Sequence, residues 1–194
     1  MRRSLFRDAT GVSAVEFGLV APILLLVVFG TFEFAQAFYV RTILFGAMNQ
    51  AARSSSLQSG QTSQTTIDGI ITTMIHDAMP KATITFTRKN YSSFSDVGRP
   101  EDFTDSNKNN VYDATECFAD ANGNKVWDSD VGATGIGGAN DVVLYSVTVK
   151  YDPVFGFAKL LGLNPKQTIS ANTFLRNQPF ATQTTRVTTT VCPT

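Results

Sequence analysis

The chain has 194 residues, 16 basic and 16 acidic side chains and a net charge of zero. That length holds one membrane segment and one modest domain. The lack of a basic block argues against nucleic acid as a partner. A single histidine, His76, gives no Ser/His/Asp or Cys/His constellation, and there is no Walker-type phosphate loop. The glycines from Gly132 to Gly138 neither follow a strand nor open a helix and read as flexible loop, so an enzyme is not expected.

The N-terminal fifty residues carry the strongest pattern. A basic leader with Arg2, Arg3 and Arg7, opposed only by Asp8, runs into Gly11. Val12 to Phe32 then gives 21 residues in which Glu16 is the only charge. At about 1.5 Å per residue this run spans roughly 30 Å, the hydrocarbon core of a bilayer. The positive-inside tendency puts the leader in the cytoplasm and the rest of the chain outside it. A secretory signal would be shorter and end at a small-x-small site, and none is evident here. Instead Phe34, Ala37, Phe38, Leu44, Phe45, Met48 and Ala52 continue at helical spacing, predicting one long helix of about 40 residues with an amphipathic second half. Pro22 is expected to kink or loosen it, either as a tolerated irregularity or as useful flexibility.

Glu16 admits two compatible readings. Ser13-x-x-Glu16 before an apolar run is a capping-box pattern. If the chain is cut between Gly11 and Val12, Glu16 becomes the fifth residue of the product, and the new positive terminus of one subunit can neutralise Glu16 of its neighbour. A carboxylate at the bilayer centre costs on the order of 2.5–3.5 kcal/mol, less near the interface, so it calls for such an explanation.

Gly11, four residues, Glu16-Phe17 and a long apolar helix resemble the processing site of type IV-pilin-like proteins. The run Gly11 to Pro22, with Glu33 and Gln36 after the span, resembles the TadE-like minor pseudopilins of tight-adherence (Tad) pili. The resemblance covers about Thr10 to Arg53 closely and the later strands loosely. Phe17 stands where Tyr is common, which changes little. The resemblance implies cleavage by prepilin peptidase after Gly11, with Val12 as first mature residue and Glu16 and Phe17 serving processing and assembly. It also implies residence in a bacterial inner membrane with the domain periplasmic, incorporation into an extracellular pilus, and other pilins, minor pseudopilins and an assembly platform as partners.

The implied organisation is a leader over 1–11, a transmembrane half-helix over 12–33, an amphipathic half over 34–55, and an extracytoplasmic domain over 56–194 with a loop insertion over 100–140. Ser54 to Thr66 reads as a loop. Ile67, Ile70, Ile71, Met74, Ile75 and Ala78 predict a short amphipathic helix stopped by Pro80. Strands are expected over Ala82–Tyr91, Asp141–Asp152 and Thr168–Asn177, with a further irregular strand after Phe180. Val154 to Leu163 is apolar and reads as a short helix or a hydrophobic loop at the membrane side. The fold class is therefore α+β: a pilin-like long helix packed on a small antiparallel sheet. Cys117 and Cys192 are either one disulfide in an oxidising compartment or two unrelated thiols.

The long insertion carries a repeated acidic pattern. Counting from Asp105, Asn107, Asn109, Asp113 and Glu116 put side-chain oxygens at positions 3, 5, 9 and 12, and Val111 offers a carbonyl at 7. That is the EF-hand loop spacing, which gathers the six to eight hard oxygens that Ca²⁺ takes. Asn110 stands where Gly is usual. Fifteen residues on, Asp120, Asn122, Asn124, Val126 and Asp128 repeat the pattern, but position 12 is Val131, leaving Asp130 as the substitute. Tyr112 and Trp127 fill position 8 of each loop. Weak, structural calcium binding is one reading; a metal-free Asx-turn loop is the other. The rival to a pseudopilin is an uncleaved bitopic membrane protein whose calcium-stabilised domain binds a surface ligand.

Overall fold

A computed structural model of the chain describes residues 11–57, 62–156, 159, 162, 164–177 and 186–193. The basic leader, from 1 to 10, lies outside the described residues. Helix α1 runs unbroken over Val12–Leu57, 46 residues, passing through Pro22. It is followed by α2 (Thr62–Ala78). Among the described residues six strands come next: β1 (Thr83–Tyr91), β2 (Phe118–Asp120), β3 (Ala133–Thr134), β4 (Val142–Tyr151), β5 (Gln167–Arg176) and β6 (Thr189–Val191). The loop expected from Ser54 to Thr66 is mostly helix. Both helices extend into it because a Ser/Thr-rich stretch without Pro still propagates a helix whose neighbouring turns are packed.

The main sheet is antiparallel with order β3-β1-β4-β5, and β2 pairs with β6 in a separate two-stranded sheet. The long strands pair in full register, Thr83 with Lys150 to Tyr91 with Val142, and Val142 with Arg176 to Tyr151 with Gln167. Strand β4 alternates, sending Val143, Tyr145, Val147, Val149 and Tyr151 inward. The helices meet that face with Val40, Leu44, Ala47, Met48 and Ala51 of α1 and with Ile67, Ile71 and Ile75 of α2. The spacings of three, four and seven residues place each set on one helix face. Each fully buried aliphatic side chain contributes roughly 1.5–3 kcal/mol, so this stripe is what fixes the upper half of α1 to the domain.

The lower half of α1 has no such partner. Phe17, Leu19, Val20, Ile23, Leu24, Leu25 and Leu26 are all about half exposed or more. A contiguous apolar surface of this kind is foreign to a protein surrounded by water. The Thr31 hydroxyl donates to the Val27 carbonyl at 2.8 Å and so carries no unmet donor into an apolar medium.

Topology gives the domain two ends. Gln36 marks the lower one: its amide donates to Met79 Sδ at 3.3 Å and its Oε1 accepts from Val154 N–H at 3.1 Å. The turn after α2 and the β4–β5 connection are therefore at the level of Gln36, next to the apolar half-helix. The 92–141 insertion leaves from the other end, where Tyr91 pairs with Val142, eight strand residues or roughly 27 Å away. Asp68 on α2 joins the helix layer to the sheet by accepting from both Arg88 and the Tyr145 hydroxyl. The Arg88 guanidinium lies 4.6 Å from the Tyr145 ring centre. His76 Nε2 sits 3.1 Å from the Ala82 carbonyl at the α2–β1 turn, a structural place.

Candidate functional site

Gly11 and Val12 stand at the start of α1, and Glu16 and Phe17 lie on its exposed first turns. Phe17 is 68% exposed. Ser13 is inside the helix rather than at its N-cap, so the capping box expected from Ser13-x-x-Glu16 does not form. Glu16 has no hydrogen-bond or ion-pair partner among the described residues. Its carboxylate faces the surroundings of an otherwise apolar half-helix, where a group from a second molecule can reach it.

The insertion at the far end is built from the two acidic repeats. In the first, Asp105 Oδ1 accepts from Asn109 N–H at 3.1 Å and its Oδ2 from Asn110 N–H at 2.8 Å. In the second, Asp120 Oδ1 accepts from Gly123 N–H at 2.6 Å and its Oδ2 from Lys125 N–H at 2.9 Å. The Asn107 and Asn109 amides donate to Asp113 Oδ2, and the Asn122 and Asn124 amides donate to Asp128 Oδ2. Val111 N–H donates to Asn109 and Val126 N–H to Asn124, both at 2.7 Å. Positions 4 and 6 are left-handed in both loops: Lys108 and Asn110 at φ 62° and 59°, Gly123 and Lys125 at 81° and 62°. Asn110 thus adopts the conformation that Gly usually supplies, at the modest cost such residues incur there.

Glu116 closes the first loop, accepting from Ser106 N–H at 2.7 Å and from Asp113 N–H at 3.2 Å, positions 2 and 9. Asp130 does not close the second. It turns away to accept from Lys89 Nζ at 2.8 Å, the Tyr91 hydroxyl at 3.0 Å and Gly132 N–H at 3.2 Å. Glu101 takes that place instead, accepting from Ala121 N–H at 2.8 Å and Asp128 N–H at 3.1 Å, again positions 2 and 9. Both glutamates are buried. Each donates no hydrogen bond as a carboxylate and holds two backbone donors that the loop leaves without a strand partner. Among the described residues, no group of three or more His, Cys, Asp or Glu side chains gathers about one point. The remaining oxygen donors are Asn amides and the Val111 and Val126 carbonyls.

The insertion has a small core of its own, which its polar composition conceals. Tyr112 and Trp127 stack at 4.7 Å, while Phe103 and Phe118 meet them edge-on at 5.7–6.3 Å. The Trp127 indole donates to the Glu101 carbonyl at 3.0 Å. Cys117 and Cys192 form a disulfide, joining the chain next to β2 to the chain next to β6 across 75 residues. The irregular strand expected after Phe180 is thus β6; residues 178–185 lie outside the described set. The glycine stretch is likewise ordered. It contains β3, and a Cβ on Gly137 would fall 2.1 Å from the Asp141 carboxylate. Arg186 donates to that same carboxylate at 2.7 Å and to Asn90.

A long N-terminal helix, apolar and exposed over its lower half and packed on a small antiparallel sheet above, makes an α+β fold with one helix long and apolar enough to cross a membrane. Residues 11–53 match the family model described as TadE-like protein. This segment and the apolar helix together fit a pseudopilin-like membrane protein of a Tad pilus, which is not an enzyme family. No curated protein matches the chain. No solved structure matches it either.

Proposed function

We propose that the chain is a minor pseudopilin of a Tad-type pilus, cut by prepilin peptidase after Gly11 and assembled through α1. The observation that carries this reading is α1 itself: one helix with Glu16 five residues beyond Gly11, a partnerless apolar half, and an upper half locked to a folded domain. A plain anchor needs no rigid continuation into the domain. A subunit that is pulled from the membrane into a bundle of like helices does, because force on the domain must move the span. In the bundle, the α-amino group of Val12 on one subunit pairs with Glu16 of the next, lowering the cost of a carboxylate in an apolar setting. The domain lies on the periplasmic side of a bacterial inner membrane, and its partners are the peptidase, other pilins and the assembly platform. Intact-mass measurement of the chain from a host with the peptidase tests the cut: a product starting at Val12 is expected. A retained leader would favour the rival, an uncleaved bitopic protein that displays a ligand-binding domain.

The loop pair is assigned a structural calcium role at the end of the domain away from the membrane. The first loop would use Asp105, Asn107, Asn109, the Val111 carbonyl, Asp113 and Glu116. The second would use Asp120, Asn122, Asn124, the Val126 carbonyl, Asp128 and, in place of Asp130, Glu101. Support comes from the position-6 N–H donating to the first Asp in both loops, the position-2 and position-9 N–H groups donating to a Glu in both, and the matching backbone angles. The Asn amides now donate to Asp113 and Asp128, so binding requires their oxygens to face the ion. With so many neutral donors, affinity falls in the range of about 10⁻⁴–10⁻³ M typical of extracellular modules. Calorimetric titration of the full chain in detergent decides it: no heat with calcium and no calcium-dependent melting shift would remove this role.

A further inference from the structure

Among the described residues of the β4–β5 connection, Val154 at 73% and Phe155 at 47% exposed are large apolar side chains at the end of the domain nearest the apolar half-helix. The Phe155 ring lies 4.8 Å from Phe29 and 6.0 Å from Phe32 of α1. Gln36 Oε1 holds the loop at this height by accepting from Val154 N–H. Phe29 is 17 residues beyond Val12, roughly 26 Å along the helix, and Phe32 about 30 Å. If the hydrocarbon core of about 30 Å begins near Val12, Phe155 stands at its outer boundary. Exposed lysines Lys81, Lys150, Lys159 and Lys166 surround this end of the domain, against the acids Glu33, Asp77 and Asp152. Their long stems let the ammonium groups reach headgroup phosphates while an apolar tip goes deeper.

We propose that Val154 and Phe155 form a second membrane contact, inserted at the interface of the leaflet on the domain's side and setting the height and tilt of the domain over its helix. The inference rests on α1 being membrane-embedded. The partner is phospholipid rather than another subunit, because the tip continues the lipid-facing surface of α1 at the depth where headgroups meet acyl chains.

The test uses the full chain in vesicles of phosphatidylethanolamine and phosphatidylglycerol, with a polarity-sensitive fluorophore on a single introduced thiol. The native cysteines are paired and stay unlabelled under non-reducing conditions. Val154→Cys is compared with Leu25→Cys in the apolar half-helix and with Val111→Cys in the far insertion. Expected is a blue-shifted Val154 probe that loses most of its emission to a lipid quencher placed near the headgroups. The Leu25 probe should be quenched from deeper positions and the Val111 probe should behave as in water. A water-like Val154 probe beside a quenched Leu25 probe overturns the proposal alone. If neither is quenched, the membrane reading of α1 fails and the proposal with it. A Val154 probe insensitive to lipid quenchers, and shielded only as protein density rises, would assign the tip to a second copy and also overturn it.

Discussion

Glu101 occupies in the second acidic loop the place that Glu116 occupies in the first, each carboxylate accepting from the backbone N–H groups at loop positions 2 and 9. The two glutamates reach equivalent places from opposite directions in sequence: Glu116 ends its loop, while Glu101 precedes Asp120 by 19 residues. Replacing either by Gln removes a charge-assisted pair of bonds and is expected to cost about 1–3 kcal/mol in chelator. If each loop binds one calcium ion as proposed, calcium at ten times the dissociation constant adds about 1.4 kcal/mol per loop, a rise of a few degrees in melting temperature. Glu101→Gln and Glu116→Gln should each abolish about half of that rise. Melting with and without calcium checks both, and an undiminished rise in Glu101→Gln would remove Glu101 from the site.

The Cys117–Cys192 bond ties β6 to β2 at the far end of the domain. Its loop of 75 residues predicts on the order of 4 kcal/mol of unfolded-state constraint when Cys117→Ala and Cys192→Ala are combined. Because β2 and β6 form a sheet separate from the main one, loss should begin there. Hydrogen exchange at Val191, which pairs with Phe118, is expected to accelerate well before exchange at Val147 in β4.

Two pH limits follow from polar groups outside the span. Burial raises the Asp130 carboxyl, but hydrogen bonds from Lys89, the Gly132 N–H and Tyr91 outweigh it and hold the group below its ordinary range. The stabilisation is therefore complete above the unfolded carboxylate value near pH ~3.9 and is lost as pH falls through the lower folded value. Burial and then the bond to Asp68 push the Tyr145 hydroxyl upward against the opposing Arg88 charge. Stability is thus intact below pH ~10 and declines above it, where the unfolded tyrosine ionises and the folded one does not. Thermal melts across both windows should lose the acid limb in Asp130→Asn and shrink the alkaline limb in Tyr145→Phe.

Much of the frame was legible locally because its signals are periodic. Ile67, Ile71 and Ile75 mark the buried face of α2, and alternation from Val143 to Tyr151 marks β4. The repeated spacing from Asp105 and from Asp120 likewise predicts two loops of one shape. What sequence spacing does not carry is the closing of the second loop. Asp130 is adjacent to the repeat, but Lys89 and Tyr91 on β1 claim it. Glu101 arrives through long-range backbone pairing, with its own N–H donating to the Asp128 carbonyl and Phe103 bridging to Phe118. The aromatic core of Tyr112 and Trp127 was similarly spread over a stretch whose composition is mostly polar. The first helix runs beyond Ser54 because the packed turn before it, at Met48 and Ala51, propagates through residues of only modest helix preference.

The proposed pairing of Glu16 with a neighbouring terminus predicts that insertion and assembly separate. Glu16 has no partner of its own among the described residues, so Glu16→Ala removes no contact that they make. It also lowers the cost of burying α1 in lipid, by up to about 2.5–3.5 kcal/mol if the carboxylate would otherwise sit at mid-bilayer. Membrane-fraction yield and the melting temperature of the domain should therefore be unchanged or slightly improved, while recovery of the chain in sheared pili should fall sharply. Glu16→Asp retains the charge on a shorter stem and should recover part of the assembly. Substituting Gly11 with a bulky residue acts one step earlier, giving an unshortened chain in the membrane and none in pili. If Glu16→Ala enters pili as well as the parent chain does, the pairing role falls even though the cut after Gly11 stands.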